Sequence, residues 1–165
     1  MTNNTNEPSS RKYLIDRPEV LESMKNGTFS TNPHATTVGV EFVSVARNKA
    51  CLKVPYKDEL VGNPETGVIH GGVIISLMDS VTGRAVLCSI PEIEAIATLD
   101  LRVDYMKPAT IGKTIFASAE CYKLTNSIAF VRGFAYQDNE SDLVATCTAT
   151  FMRAANQAPI KLAGV

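Results

Sequence analysis

One stretch of this chain can form a long helix, and it sets the terms for the rest. Between His70-Gly71-Gly72 and Pro91, the residues Ile74, Leu77, Met78, Val81, Ala85 and Cys88 recur at steps of three and four. That spacing lays an apolar stripe along one side of an α-helix ending near Cys88-Ser89. Downstream the period changes to two. In Thr98-Leu99-Asp100-Leu101-Arg102-Val103-Asp104-Tyr105, strict alternation puts Leu99, Leu101, Val103 and Tyr105 on one face of a strand and the polar residues on the other. Further strands are expected at about 112–124, 127–137 and 143–153, with Asp138-Asn139-Glu140-Ser141 as the last turn.

Upstream, Val38–Val45 and Ala50–Pro55 are β-rich and separated by Arg47-Asn48-Lys49, which reads as a hairpin, and 57–69 reads as a loop. A short helix is expected from Asp16-Arg17-Pro18-Glu19 to about Lys25, stopped by Asn26-Gly27. One long helix between a hairpin and long antiparallel strands gives an α+β fold, a curved antiparallel sheet wrapped around one central helix.

The chain has 165 residues, 45% of them hydrophobic and 20% charged, enough for one domain with a real core. That domain is expected over 12–155, between a disordered N-terminal tail at 1–11 and a C-terminal tail at 156–165. A net charge of −1 leaves no basic field for nucleic acid or an anionic membrane. The N-terminus lacks a signal-peptide core and no window approaches a membrane span, so a cytoplasmic protein is expected. Cys51, Cys88, Cys121 and Cys147 are scattered singly through apolar segments and read as buried, reduced thiols. With His34 and His70 as the two histidines, no metal site is expected, and His34 reads as structural.

Asp79 breaks the pattern, because a carboxylate is a costly occupant of so apolar a helix. It lies off the apolar stripe, and its neighbours Ile75, Ser76, Thr82 and Gly83 are mostly small or polar. At the helix start, Gly71 and Gly72 carry no side chains to shield their N–H groups, and a helix N-terminus favours developing negative charge. The helix therefore offers an oxyanion donor and a carboxylate. Eight residues separate Gly71 from Asp79, about 12 Å along the axis, whereas reacting groups must come within ~3 Å of one carbonyl. If both serve one site, Asp79 must come from a second copy related by a two-fold axis, which makes an obligate homodimer with two equivalent sites.

The block GVIHGGVIISLMDSVTGRAV, followed by TLDLRVDYMKPATIGKTIFASAE and LVATCTATFMR, resembles the hotdog-fold acyl-CoA thioesterases of the PaaI-like family. The resemblance runs from about Val38 to Arg153 and rests on His-Gly-Gly, the Asp eight residues after the first Gly, and Tyr-Met-Lys-Pro-Ala. It implies hydrolysis of an acyl-CoA to CoA and a carboxylic acid with no cofactor, in homodimers or homotetramers. The N–H of Gly71 would polarise the carbonyl, aided by Asn63 and His70. Asp79 of the partner subunit would act as general base or nucleophile, with Thr98 positioning water.

Two departures stand out. Asn63 is seven residues before His70 rather than six, and Thr98 is nineteen after Asp79, one more than usual. Strict alternation would also turn Thr98 away from the face of Leu99. Lys107, Lys123, Asn126 and Ser127 are candidates for holding the CoA phosphates, with Arg132, Lys113 and Arg153 behind them. Two rival readings share the scaffold: a hydratase or dehydratase of acyl thioesters, and a non-catalytic acyl-CoA-binding protein.

Overall fold

The structure is a computed structural model describing residues 13–27 and 32–154. The tails expected at 1–11 and 156–165 lie outside the described residues. The elements run α1 (Pro18–Lys25), α2 (Pro33–Val38), β1 (Glu41–Ala46), β2 (Lys49–Val54), β3 (Val61–Asn63), β4 (Val68–Ile69), α3 (Gly71–Leu87), β5 (Ile96–Tyr105), β6 (Ile115–Leu124), β7 (Ile128–Tyr136) and β8 (Leu143–Arg153). Six strands form one sheet in the order β1-β2-β6-β7-β8-β5, every neighbour antiparallel, and β3 and β4 form a separate hairpin. This is the hotdog arrangement that the resemblance implies. Among the described residues no helix is long and apolar enough to cross a membrane.

The sheet can wrap α3 because its inner face is built largely from small side chains. Ala117, Ala119, Ala129, Ala135, Ala145 and Ala149 are all buried against the helix side, so the helix axis can approach the strands closely. From α3 they receive Leu77, Met78, Val81 and Ala85, each 0% exposed, which confirms the apolar stripe. A second cluster, Leu14, Val20, Met24 and Ile90, holds α1 against the sheet edge beside Phe42 and Leu87.

Three local expectations are corrected. The strand expected at Val38–Val45 begins only at Glu41, because Pro33–Val38 is a helix. Asn32 caps it by accepting from the His34 and Ala35 N–H groups, Pro33 fits its first turn, and Gly39 closes it in the left-handed region at φ 81°. The loop expected over 57–69 contains the β3–β4 hairpin. The strict alternation expected in β5 is interrupted, since Thr98 pairs with Phe151 and Asp100 with Thr150, leaving Leu99 as an unpaired bulge residue. Leu99 is accordingly 56% exposed rather than in the core.

Candidate active site

The β3–β4 hairpin delivers the chain to the start of α3. His70 N–H donates to Leu60 O at 2.9 Å. Gly62 lies so close beneath that a Cβ there would sit 2.8 Å from His70 Cα, which explains a glycine at that strand position. His70 is the N-cap of α3, and its Nδ1 accepts from the Gly72 N–H at 2.9 Å. A ring nitrogen that accepts carries no proton, so the neutral imidazole holds its hydrogen on Nε2. The next donor along, the Gly71 N–H, has no acceptor among the described residues, as expected for a first-turn amide.

Tyr105, at the end of β5, reaches back over this turn. Its hydroxyl donates to Gly71 O at 2.7 Å, and a Cβ on Gly71 would lie 3.0 Å from the same oxygen. Both glycines leave room for a neighbouring side chain: a Cβ on Gly71 would make Tyr105 give by a few tenths of an ångström, and one on Gly72 would meet His70 Nδ1 at 2.9 Å. Partial burial pushes the Tyr105 phenol above its ordinary value, keeping it a donor.

Asp79 is half-buried two turns further along α3, and its Oδ1 accepts from Thr98 Oγ1 at 2.8 Å. Among the described residues it makes no ion pair. Its small neighbours behave as expected except Thr82, which is fully buried with Oγ1 donating to Met78 O and Asp79 O. Asp79 and Thr98 line a cavity of about 510 Å³ whose wall mixes apolar Phe42, Leu52 and Phe151 with polar Asn32, Glu41 and Ser80. Arg84 shares that wall, and burial lowers the pKa of its guanidinium. A carboxylate with one oxygen held and a cavity beside it can activate water or attack a bound carbonyl.

The remaining candidates are distributed unevenly. Asn63 carries the β3–β4 turn: its Oδ1 accepts the Glu65 N–H at 3.0 Å and its carbonyl accepts from Thr66 and Gly67. His34 hydrogen-bonds Ser76 Oγ at 2.9 Å, and that hydroxyl donates to Gly72 O, so it ties α2 to α3. Lys107 follows Tyr105 and pairs with Asp142. Lys123, Asn126 and Ser127 sit around the β6–β7 turn beside the opposite end of β5, where Arg153 pairs with Ile96 and donates its N–H to Ser127 O at 2.7 Å. The lesser cations are engaged, Lys113 with Asp138, Arg132 with Glu120, and Arg153 with Glu94. The Tyr105 contact with Gly71 spans 34 residues and leaves no local signal in the sequence.

Comparison with known proteins agrees with this layout. The thioesterase superfamily profile matches residues 66–144, from the hairpin through the start of β8. A Pseudomonas aeruginosa protein of known structure is 40% identical with a TM-score of 0.72, covering 81% of this chain and 98% of its own. The phenylacetic acid degradation protein PaaI of Thermus thermophilus is 25% identical with a TM-score of 0.63, over 74% of this chain and 99% of its own. The medium/long-chain acyl-CoA thioesterase YigI of Escherichia coli is 27% identical over 133 residues, 73% of this chain and 84% of its own. With this profile match and a relative 40% identical over nearly its whole length, the chain belongs to the thioesterase superfamily.

Proposed function

We propose that the protein is an acyl-CoA thioesterase whose site is shared between two copies. The observation that carries this reading is the Thr98-held Asp79 carboxylate in the wall of the cavity. It lies about 12 Å along α3 from the unfilled Gly71 N–H. An acyl chain of apolar or aryl character occupies the cavity, and the thioester carbonyl oxygen receives the partner subunit's Gly71 N–H. Water adds to the carbonyl carbon as the Asp79 carboxylate takes its proton. Collapse of the tetrahedral intermediate breaks the C–S bond and releases CoA thiolate and the acid. A donor aimed at the oxyanion contributes about 3 kcal/mol, and the base about 10²–10⁴-fold.

The second copy has a natural place to dock. β5 is a ten-residue edge strand with one side unpaired, and such an edge invites strand pairing. Around it Ile75, Leu99, Tyr105 and Met106 are all exposed apolar groups. The CoA candidates support the same arrangement. Lys107 lies at one end of β5 and the β6–β7 turn at the other, about 30 Å apart for a strand of this length. Antiparallel docking about a two-fold axis brings Lys107 of one copy toward the Lys123–Ser127 turn of the other, as it brings Gly71 toward Asp79.

A panel of acyl-CoAs assayed with a thiol reagent tests the activity. CoA release is expected from members with apolar or aryl acyl groups, and release from none would overturn the reading. Mixing Asp79→Asn with Gly71→Pro tests the sharing. Proline suits the first helical position and the extended His70 before it at φ −61°, ψ 133°, so it removes the N–H while keeping the helix. Gly71→Ala controls for the added Cβ. Equal amounts of the two inactive variants should recover about a quarter of wild-type activity, because half the dimers regain one of two sites. No recovery would mean that each chain uses its own groups.

A further inference from the structure

The peptide between Gly71 and Gly72 is held by side chains at both of its polar atoms. Tyr105 donates to its carbonyl at 2.7 Å, and His70 Nδ1 accepts from its N–H at 2.9 Å. We infer that Tyr105 is a positioning residue for the oxyanion donor: it fixes the Gly71 carbonyl while His70 fixes the Gly72 N–H, and the Val73 N–H donates to His70 O at 2.9 Å, so the peptides on both sides of Gly71 are held and with them its backbone angles and the direction of its N–H. The inference rests on the reading of Gly71 as that donor.

Three features converge on this. A glycine has the freest backbone of any residue, so an unclamped Gly71-Gly72 start would let the donor wander. A carbonyl in the first turn of a helix ordinarily receives its hydrogen from the amide four residues on, and here it receives a tyrosine hydroxyl as well. The fit is also close: any side chain at position 71 would press on the Tyr105 oxygen at 3.0 Å. A glycine at position 71 thus gives the tyrosine hydroxyl room to reach the carbonyl, and the tyrosine stands at the end of β5 where that strand passes the helix start. The clamp would matter most as charge develops, since an oxyanion donor is effective only when it need not reorganise during the reaction.

Tyr105→Phe keeps the ring over Gly71 and removes only the hydroxyl. Expected is a fall in kcat of about tenfold with KM changed less than twofold, as for an interaction realised in the transition state, and unchanged global stability. Amide hydrogen exchange at Gly72 reads the same clamp without turnover, and should speed up about tenfold in the variant while core amides of α3 keep their protection. An unchanged kcat, or a KM rise alone, overturns the inference, as does unchanged Gly72 exchange. If the wild-type protein releases CoA from no substrate, the functional reading falls by itself, and Gly72 exchange alone then decides whether Tyr105 holds the peptide.

Discussion

Thr98 Oγ1 lies 2.8 Å from Asp79 Oδ1, and the bulge at Leu99 puts it on the side of the sheet that faces α3. Thr98 pairs with the buried Phe151, Leu99 is skipped, and Asp100 pairs with Thr150. Leu101 and Val103, opposite Ala149 and Cys147, then point inward with Thr98. Without the extra residue, Thr98 would share a face with Asp100 and could not reach the helix.

If that hydroxyl orients the carboxylate, Thr98→Val should lower kcat. A hydrogen bond to a charged group is worth about 1.5–3 kcal/mol, or about 10- to 100-fold in rate. Thr98→Ser should restore most of the activity, because the donor survives. Steady-state kinetics on the two variants checks this, and equal losses in both would point to packing instead.

The bulge also marks where sequence reasoning stops. Period and length suffice to find α3, the four long strands and the α+β architecture, because burial on one side of an element imposes those repeats. A single inserted residue leaves the composition of a strand unchanged yet reverses the parity of everything before it, so Leu99 reads as core until its pairing is seen. The helix at Pro33–Val38 is a different case. Its Asn32 cap, Pro33 and Gly39 are helix punctuation in the sequence, but six residues are too few to show a period. Asp79 was legible because a carboxylate in so apolar a helix conflicts with its surroundings, whereas Tyr105 over Gly71 is a tertiary contact with no local trace.

His70 joins a cap to a chemical function, and two substitutions separate them. His70→Ala removes the acceptor for the Gly72 N–H and should cost about 1 kcal/mol of stability. His70→Asn supplies another good N-cap and should stay within a few tenths of wild type. If the Nε2–H contributes to catalysis, both variants lose turnover. Denaturant unfolding alongside initial rates reads the two effects independently, and full activity in His70→Asn would reduce the histidine to a cap.

Lys107 and Lys123 should act on binding rather than on chemistry. The surface pair between Lys107 and Asp142 contributes little to stability, so Lys107→Ala and Lys123→Ala should fold normally. Each should raise KM for acyl-CoA about fivefold with kcat retained, through loss of a charge-assisted contact to phosphate. The same acyl group on pantetheine, which lacks the phosphates, should show no such change. A KM that rises equally for both substrates would place these lysines elsewhere than on the nucleotide.

Arg153 and Glu94 form an ion pair at 2.5 Å with side chains only 9% and 11% exposed. The arginine also donates to Thr125 O, so it joins the end of β8 to the segment before β5 and the β6–β7 turn. Glu94→Gln leaves a buried guanidinium without its carboxylate and should cost about 3–5 kcal/mol, a drop of about 10 °C or more in Tm. Calorimetry checks it, and a shift under 2 °C would show that water replaces the lost charge.

The buried thiols set an alkaline limit on stability. Loss of solvent pushes Cys88 from 9.0 up to about 12, with Arg84 pulling weakly the other way. It pushes Cys147 up to about 11, with the Gly133 backbone opposing. In the unfolded chain both thiols ionise near 9.0, while the native protein keeps their protons, so above that pH the folded state binds more protons and stability must fall as pH rises. Each thiol contributes a slope of about 1.4 kcal/mol per pH unit, together about 2.7 between pH 9 and 11, after which only Cys88 continues. Below pH 9 neither has any effect. Urea unfolding at pH 8, 9.5 and 10.5 should show this decline, and Cys88→Ala combined with Cys147→Ala should flatten it by that amount, the other ionising groups being common to both proteins. Parallel pH dependences in the two proteins would mean that the native thiols are solvated.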